Sequence, residues 1–230
     1  ILASTGEIVV ILNADVQPKP DFLQKISVHY EAGYDYVLVN SRVANVEYLF
    51  ARYVDAVSLI DQSGDPSWME WTEGFSCRRD LAIRAGLFPT GFPVLICAGE
   101  DGFFGTGLRQ IGAKKKIDFS ITVEHIAPST FQEYWQIRKG RGEGGPQIRR
   151  FLQHWPILKI SLWGILRVCK NLAIAGFLIP MILIVFRITR YSKFGIKDLA
   201  PFIFAWLIEQ FAFHVGEWKS IYKIYISEKG

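Results

Sequence analysis

The chain opens with an almost continuous apolar run. Residues 7–12, Glu-Ile-Val-Val-Ile-Leu, are mostly β-branched, and Tyr36-Val37-Leu38-Val39 repeats the pattern. Runs of this kind predict strands that are buried on both faces, within a mostly parallel sheet. Between them, apolar residues at helical spacing predict a helix that starts near Pro20 and ends at Gly33. A strand, a helix and a second strand in this order predict an α/β fold.

Helical and alternating patterns continue through the middle of the chain. Residues 88–93 contain two prolines and a glycine, and 140–146 contains four glycines and a proline, so neither stretch is predicted to be regular. The glycine-rich stretch 140–146 is interpreted as a linker or flexible gate, with a phosphate-binding loop as the alternative. We predict helices at 47–61, 79–85, 103–111 and 130–139, and strands at 72–77 and 117–123.

The last third of the chain is strongly apolar. Residues 171–186 form an uncharged run of 16, which a helix would extend over about 24 Å. That is short for a hydrocarbon core of about 30 Å, so a span requires flanking residues and is predicted at 171–188. A second candidate span, 199–216, contains Glu209, which must face protein or headgroups. Buried core helices of a soluble protein are the alternative.

Charge divides the chain in the same way. Residues 1–137 hold 11 Lys and Arg against 17 Asp and Glu, whereas residues 138–230 hold 15 against 5. An acidic part followed by a basic, apolar part predicts a catalytic domain at 1–145 and a membrane-associated helical region at 146–230. Residues 151–168 have the composition of a helix lying on an anionic membrane surface. The basic residues are interleaved with apolar runs, so no nucleic-acid partner is predicted.

Three cysteines, at widely separated positions, indicate neither a disulfide framework nor a zinc site. They favour a reducing location, so the catalytic part is predicted to face the cytoplasm. The chain starts a few residues before a core strand, and we expect it to be the carboxyl-terminal portion of a longer protein.

Acidic and polar residues cluster where predicted strands end and helices begin. Asn13, Asp15 and Gln17 follow the first strand, where they suit either a turn or hard-metal binding to Mg²⁺ or Mn²⁺. Glu100 and Asp101 precede a helix, which suits either a helix start or proton transfer. Further candidates are Glu73 and Gly74, the pair Arg78 and Arg79, and His125, for each of which an ordinary structural role is the alternative.

Taken together, these motifs resemble family 2 glycosyltransferases of the A-type fold. The resemblance rests on their order across residues 3–125: Asn13-Ala14-Asp15, Glu73-Gly74 followed by Arg78, and Gly99-Glu100-Asp101. It implies a Rossmann-like domain with a mixed, mostly parallel sheet that lacks its first βα units, followed by interfacial and transmembrane helices. The family usually has Asp-x-Asp at the first motif, and here Asn13 occupies its first position.

The resemblance also implies roles for individual residues. Asp101 would be the general base of an inverting displacement, and Asp15, with His125, would hold the divalent cation. Asn13 and Gln17 would assist at the cation and donor side. Glu73, Gly74, Arg78 and Glu100 would contact substrate, and so would Arg138, which lies in a partial echo of the Gln-x-x-Arg-Trp sequence of processive members.

The implied partners are a nucleotide-sugar donor and a lipid-linked or polysaccharide acceptor at the cytoplasmic membrane face. The apolar tail is similar to that of bacterial enzymes of the succinoglycan type, which build exopolysaccharide repeats on lipid carriers. A polyprenyl-phosphate sugar synthase is the alternative within the family. A non-catalytic membrane adaptor that keeps the fold is the alternative outside it.

Overall fold

A computed structural model describes residues 1–65, 67 and 70–228. The chain forms two compact units. The first comprises residues 1–44, 62–89 and 100–126, and the second comprises 45–61, 90–99 and the chain from 127 onward. The strands are β1 Ile8–Ile11, β2 Val16–Pro18, β3 Tyr36–Val43, β4 Phe75–Arg78 and β5 Lys115–His125. The α-helices are α1 Phe22–Glu31, α2 Leu49–Ser63, α3 Arg79–Arg84, α4 Glu100–Gln110, α5 Phe131–Gln147, α6 Ile157–Gly176, α7 Ile179–Thr189 and α8 Leu199–Ser227.

The first unit is built on a five-stranded sheet in the order β1-β4-β3-β5-β2. Only β3 and β5 pair in parallel, and the other three pairings among the described strands are antiparallel. A mixed sheet was expected and is found, but the expectation that it is mostly parallel is wrong. The error came from β1: its apolar run reads as a central strand, whereas β1 lies at an edge of this sheet with only Val9 fully buried.

Strand β3 is the centre of this unit's core, as its continuous apolar sequence predicts. Successive side chains of a strand point to opposite faces. Tyr36 and Leu38 accordingly pack in a cluster with Phe104 of α4, whereas Val37 and Val39 pack in a cluster with α1. The sheet is therefore covered by α1 on one face and by α3 and α4 on the other.

The second unit consists mainly of α2 and α5–α8. Its longest helix contact joins α5 and α8, and it is made possible by glycines. A Cβ atom placed on Gly142 would lie 2.0 Å from the carbonyl oxygen of Phe213, and one placed on Gly216 would lie 1.9 Å from that of Lys139. The prediction that 140–146 interrupts regular structure is therefore wrong. Helix α5 continues through it to Gln147, because these glycines allow two helix backbones to approach closely.

The apolar tail also differs from its prediction. The run 171–186 is divided between α6 and α7, which meet at 86° after Leu178, a residue with φ of 55°. Residues 171–188 thus form no straight helix. Residues 199–216 do lie within one helix, α8, which continues to Ser227. Among the described residues, one continuous helical stretch, Gly195–Ser227, has the length and hydropathy to cross a membrane, and the bent α6–α7 pair would be a second.

Glu209 of α8 faces protein, one of the two surroundings expected for it. Its carboxylate accepts a hydrogen bond of 2.7 Å from the Tyr53 hydroxyl and pairs with Arg138 at 3.1 Å. The functional division at residue 145 remains a prediction, as does the number of membrane spans.

Candidate active site

The predicted motifs lie toward one edge of the sheet. Strands β1, β3 and β5 end on this side, and strands β2 and β4 begin there. Ile11 at the end of β1 pairs with Phe75 at the start of β4, and Val43 at the end of β3 pairs with His125 at the end of β5. His125 in turn pairs with Val16 at the start of β2. Residues that follow β1, precede β4 and end β5 therefore share this edge, which we call the motif edge.

Asp15 and His125 are neighbours at the motif edge. The backbone N–H of Ile126 donates to the carbonyl oxygen of Asp15 at 3.3 Å, directly beside the Val16–His125 pair. The His125 ring is oriented by Ser41, whose hydroxyl lies 3.0 Å from Nδ1. An imidazole with Nδ1 engaged keeps Nε2 for other contacts. The predicted pairing of Asp15 with His125 is therefore geometrically possible.

The stretch around Asp15 forms a turn, which was one of the two interpretations of its sequence. The N–H of Val16 donates to the carbonyl oxygen of Asn13 at 3.0 Å. Asn13 and Asp15 are exposed, and Gln17 is exposed within β2. A turn and a ligand-binding role are compatible, because the turn leaves these oxygen-bearing side chains accessible. Among the described residues, no group of three or more His, Cys, Asp and Glu side chains is arranged to hold a metal ion.

Glu100 and Asp101 form the first turn of α4, as predicted. Gly99, with φ of 91°, precedes the helix, and Oδ1 of Asp101 accepts from the N–H of Gly102 at 2.7 Å. Carboxylates at this position are stabilised by the helix dipole. The Oε2 atom of Glu100 is buried and has no hydrogen-bond partner within the described part of the chain.

The chain path sets the direction of α4. Helix α4 ends at Gln110 and leads through Gly112 into the start of β5, so it runs antiparallel to that strand. Since β5 ends at the motif edge, the first turn of α4 is directed toward that edge. Phe104, one turn into α4, packs against Phe75 with ring centroids 5.7 Å apart. The Glu100–Asp101 pair therefore lies at the end of α4 that is directed toward the edge with Asp15, Glu73 and His125.

Gly74 is required where it stands, between Glu73 and the start of β4. Its φ is 77°, and a Cβ atom would lie 2.6 Å from Cγ2 of Val39 and 3.1 Å from Cγ1 of Val123. Both contacts are with packed side chains of β3 and β5. The glycine lets the chain that carries Glu73 lie directly against these two strands.

Replacing Gly74 with Ala is expected to destabilise the protein by about 1–3 kcal/mol, since the new methyl group adds a steric overlap to a left-handed backbone. Gly102→Ala is the matched control, because a Cβ atom there meets nothing within 4 Å and the backbone is helical. Urea unfolding of both variants measures the difference. Equal midpoints for the two variants would contradict the packing seen at Gly74.

Arg78 does not join this cluster. It lies at the far end of β4, pairs with Glu7 and lies 3.6 Å from Asp35, and donates to the carbonyl oxygen of Tyr30 at 3.1 Å. Arg138 belongs to the helical unit. Its side chain is 5% exposed, pairs with Glu209, and has its guanidinium carbon 4.9 Å from the centre of the Tyr134 ring. Both arginines are thus engaged in internal contacts.

Several residues near the motif edge were not selected from the sequence. The indole N–H of Trp71 donates to the carbonyl oxygen of Val39 at 2.9 Å, and its ring stacks on Phe119. Trp71 precedes Glu73 by two residues, and this proximity to a predicted motif is the signal that would have found it. Ser41, which orients His125, carries no such signal, because the pairing of β3 with β5 alone brings it there.

Within the first unit, the buried carboxylate of Glu70 forms ion pairs with Arg109 of α4 and Lys115 of β5. The Glu70 side chain is 3% exposed, contacts Arg109, and accepts from Lys115 at 3.1 Å. Burial raises the pKa of Glu70, against the opposing effect of Lys115 and Arg109. No local sequence pattern indicates this group, since its members are up to 45 residues apart.

Comparison with known protein families gives one partial match. No curated protein matched the chain. Residues 1–92, less than half of the chain, match the family described as glycosyl transferase family 2. The matched stretch contains Asp15 and Glu73–Gly74, two of the three motifs on which the resemblance was stated. This match supports a family 2 glycosyltransferase, an activity that moves sugar from a nucleotide-sugar donor to an acceptor.

Proposed function

We propose that the protein is an inverting glycosyltransferase of the cytoplasmic membrane face that transfers sugar to a lipid-linked or polysaccharide acceptor. The observation that carries this proposal is the motif edge. Asp15, Glu73–Gly74 and His125 are separated by up to 110 residues along the chain, and their strands end or begin at one edge of the sheet, toward which the Glu100–Asp101 turn of α4 is directed. In open α/β sheets, ligands typically bind at the carboxyl ends of the strands.

Asp101 is the proposed general base. Its carboxylate takes the proton from an acceptor hydroxyl as that oxygen attacks the anomeric carbon of the donor. The new bond forms on the face opposite the leaving group, while the bond from the anomeric carbon to the nucleoside diphosphate oxygen breaks. The electron pair of that bond leaves with the diphosphate, and the product has the inverted configuration. Glu100 and Glu73 line the acceptor side in this proposal.

A divalent cation fits the donor side of the motif edge. Mg²⁺ is commonly held by one or two carboxylates together with substrate phosphates, so a complete protein cage is not required. Asp15 is exposed and His125 keeps Nε2 for other contacts, and these two residues would hold the ion, with Asn13 and Gln17 nearby. When bound, the cation would offset charge that develops on the leaving diphosphate.

The exposed apolar surface of the helical unit supports the membrane location. Large apolar side chains on α6, α7 and α8 are exposed, including Leu172 at 66%, Ile179 at 69% and Phe211 at 63%. Exposure of many large apolar side chains on neighbouring helices is typical of contact with a membrane or a partner. It also argues against the alternative of soluble core helices, whose apolar side chains would be covered.

Asp15→Asn is expected to weaken metal-dependent binding of a nucleoside diphosphate to the full-length protein by ~10-fold or more, because a charge-assisted contact is worth about 1.5–3 kcal/mol. Calorimetric titration with and without Mn²⁺ measures this. Asp21→Asn, an exposed carboxylate that pairs with Lys25 at 2.7 Å, is the matched control.

Three results of this experiment distinguish the alternatives. Unchanged affinity in Asp15→Asn would contradict the assignment of Asp15. No binding of any nucleoside diphosphate by the wild-type protein would favour the membrane adaptor. Normal binding in the titration, together with a transfer assay in which only polyprenyl phosphate accepts sugar, would favour the polyprenyl-phosphate sugar synthase.

A further inference from the structure

A large apolar cavity lies between α6 and α8 of the helical unit. Its volume is about 670 Å³, within the range of pockets that hold small ligands. Aliphatic and aromatic side chains of both helices form most of its lining, from Trp206 to Trp218 on α8. We call this cavity the α6–α8 groove. Three polar side chains, Asn171, Gln210 and His214, interrupt its apolar surface.

These three side chains form a hydrogen-bond network in which one donor group, the amide nitrogen of Gln210, is not used. The Asn171 amide nitrogen donates to Oε1 of Gln210 at 2.6 Å and lies 3.0 Å from Nε2 of His214. Nδ1 of His214 lies 3.2 Å from a Glu217 oxygen, and Glu217 pairs with Arg167 at 3.1 Å. In the part of the chain that the structure describes, the Gln210 amide nitrogen has no protein acceptor. The groove therefore offers N–H donors to an occupant that carries acceptor oxygens.

One end of the groove has the composition of a membrane–water interface. Trp218 closes that end and packs beside Gly164 of α6, where a Cβ atom would lie 3.4 Å from its ring. Trp163 directly precedes Gly164 in α6, outside the groove lining, and its ring centroid lies 6.4 Å from that of Trp155. Nζ of Lys159 lies 3.8 Å from the centre of the Trp155 ring. Tryptophan and lysine together are typical of the headgroup level, and lysine attracts anionic lipids.

We propose that the α6–α8 groove binds one anionic glycerophospholipid. An acyl chain lies along the apolar lining, the headgroup meets Lys159 at the tryptophan end, and Gln210 donates to an ester carbonyl oxygen. An isoprenoid chain has no oxygen along its length, so it would leave the Gln210 donor unsatisfied at a cost in affinity. The proposal rests on the membrane location in the proposed function and is independent of sugar transfer.

Native mass spectrometry of the full-length protein in detergent tests the proposal, with phosphatidylglycerol, phosphatidylcholine and polyprenyl phosphate as probes. We expect one phosphatidylglycerol per chain, bound at least about fivefold more tightly than phosphatidylcholine because of the cation at the headgroup end. Val215→Trp, which fills the groove, is expected to abolish this adduct. Leu183→Trp, at a 62% exposed position on α7, is the matched control and is expected to keep it.

Two further variants report on the polar contacts. Gln210→Leu is expected to weaken phosphatidylglycerol binding by about three- to tenfold, since one hydrogen bond is lost. Lys159→Gln is expected to remove the preference over phosphatidylcholine while leaving one lipid bound. Melting temperatures within a few degrees of wild type confirm that the variants are folded.

Four results would overturn the proposal. These are equal binding of both phospholipids, tighter binding of polyprenyl phosphate, adducts that survive in Val215→Trp, and a dimer that only Val215→Trp disrupts. The last would show that a second copy of the chain occupies the groove. None of these results bears on donor turnover, so failure here is distinguishable from failure of the proposed glycosyltransferase activity.

Discussion

Asp101→Asn is expected to lower the kcat for sugar transfer by about 10²–10⁴-fold, the usual contribution of a general base. The amide cannot accept the proton from the acceptor hydroxyl, while its oxygen can still accept from the N–H of Gly102 at the start of α4. The fold and donor affinity should therefore stay near wild type. Turnover by the full-length protein in membranes, followed by release of the nucleoside diphosphate, measures the loss.

Asp80→Asn is the matched control for this prediction. Asp80 also lies in the first turn of a helix, α3, and is exposed, but it is remote from the motif edge. It should retain full activity. Near wild-type turnover in Asp101→Asn would show that the base is assigned wrongly, and would agree with attack by an acceptor phosphate, which requires no strong base.

Gly142→Ala is expected to destabilise the helical unit by about 1–3 kcal/mol or more, because the added methyl group cannot be accommodated. The neighbouring atom is a backbone carbonyl oxygen, that of Phe213, which cannot rotate away as a side chain can. Relief requires α5 and α8 to separate along their contact. Thermal unfolding of the full-length protein in detergent measures the change in Tm.

Gly140→Ala, two residues earlier in the same helix, provides the control. A Cβ atom at Gly140 would meet nothing within 4 Å, and alanine favours a helix over glycine by about 0.5–1 kcal/mol. This variant should therefore be as stable as wild type or more so. If both alanine variants have the same Tm, the close contact between α5 and α8 is not present in solution.

Individual elements were predictable where local pattern and tertiary environment agree. The apolar run at β3 and the helical spacing in α1 each specify an element whose burial matches its sequence. The alternation in β5 specifies a strand, but Phe119 within it is exposed, because the register with β3 shifts at that point. The pairing directions were not predictable in the same way. Strand β1 has the apolar content of a central parallel strand but pairs antiparallel at an edge, because the order of strands depends on contacts far apart along the chain.

The glycine stretch 140–146 shows the limit of local propensity. Four glycines and a proline within seven residues oppose a helix on intrinsic preference alone. Contact with α8 reverses this, because Gly142 permits a backbone approach that no larger residue would allow. The sequence of α5 by itself contains no information about the facing helix, so the prediction failed there.

The candidate site was predictable from motif order and only partly from chemistry. Asp15, Glu73, Asp101 and His125 were selected from the sequence; the strand pairing brings Asp15, Glu73 and His125 to one edge, and the helix that begins with Asp101 is directed toward it. Arg78 and Arg138 were selected by the same means and lie in internal ion pairs. Motif order identifies which segments meet, whereas the partner of each arginine depends on residues, such as Asp35 and Glu209, that only the folded chain brings near.

The central claim is that the motif edge catalyses inverting sugar transfer. Its most direct test is to incubate membranes that contain the full-length protein with a panel of nucleotide sugars and determine the anomeric configuration of the product by NMR. We predict transfer from one donor, with a configuration opposite to that of the donor sugar. Retained configuration, or no transfer from any donor in the panel, would contradict the account.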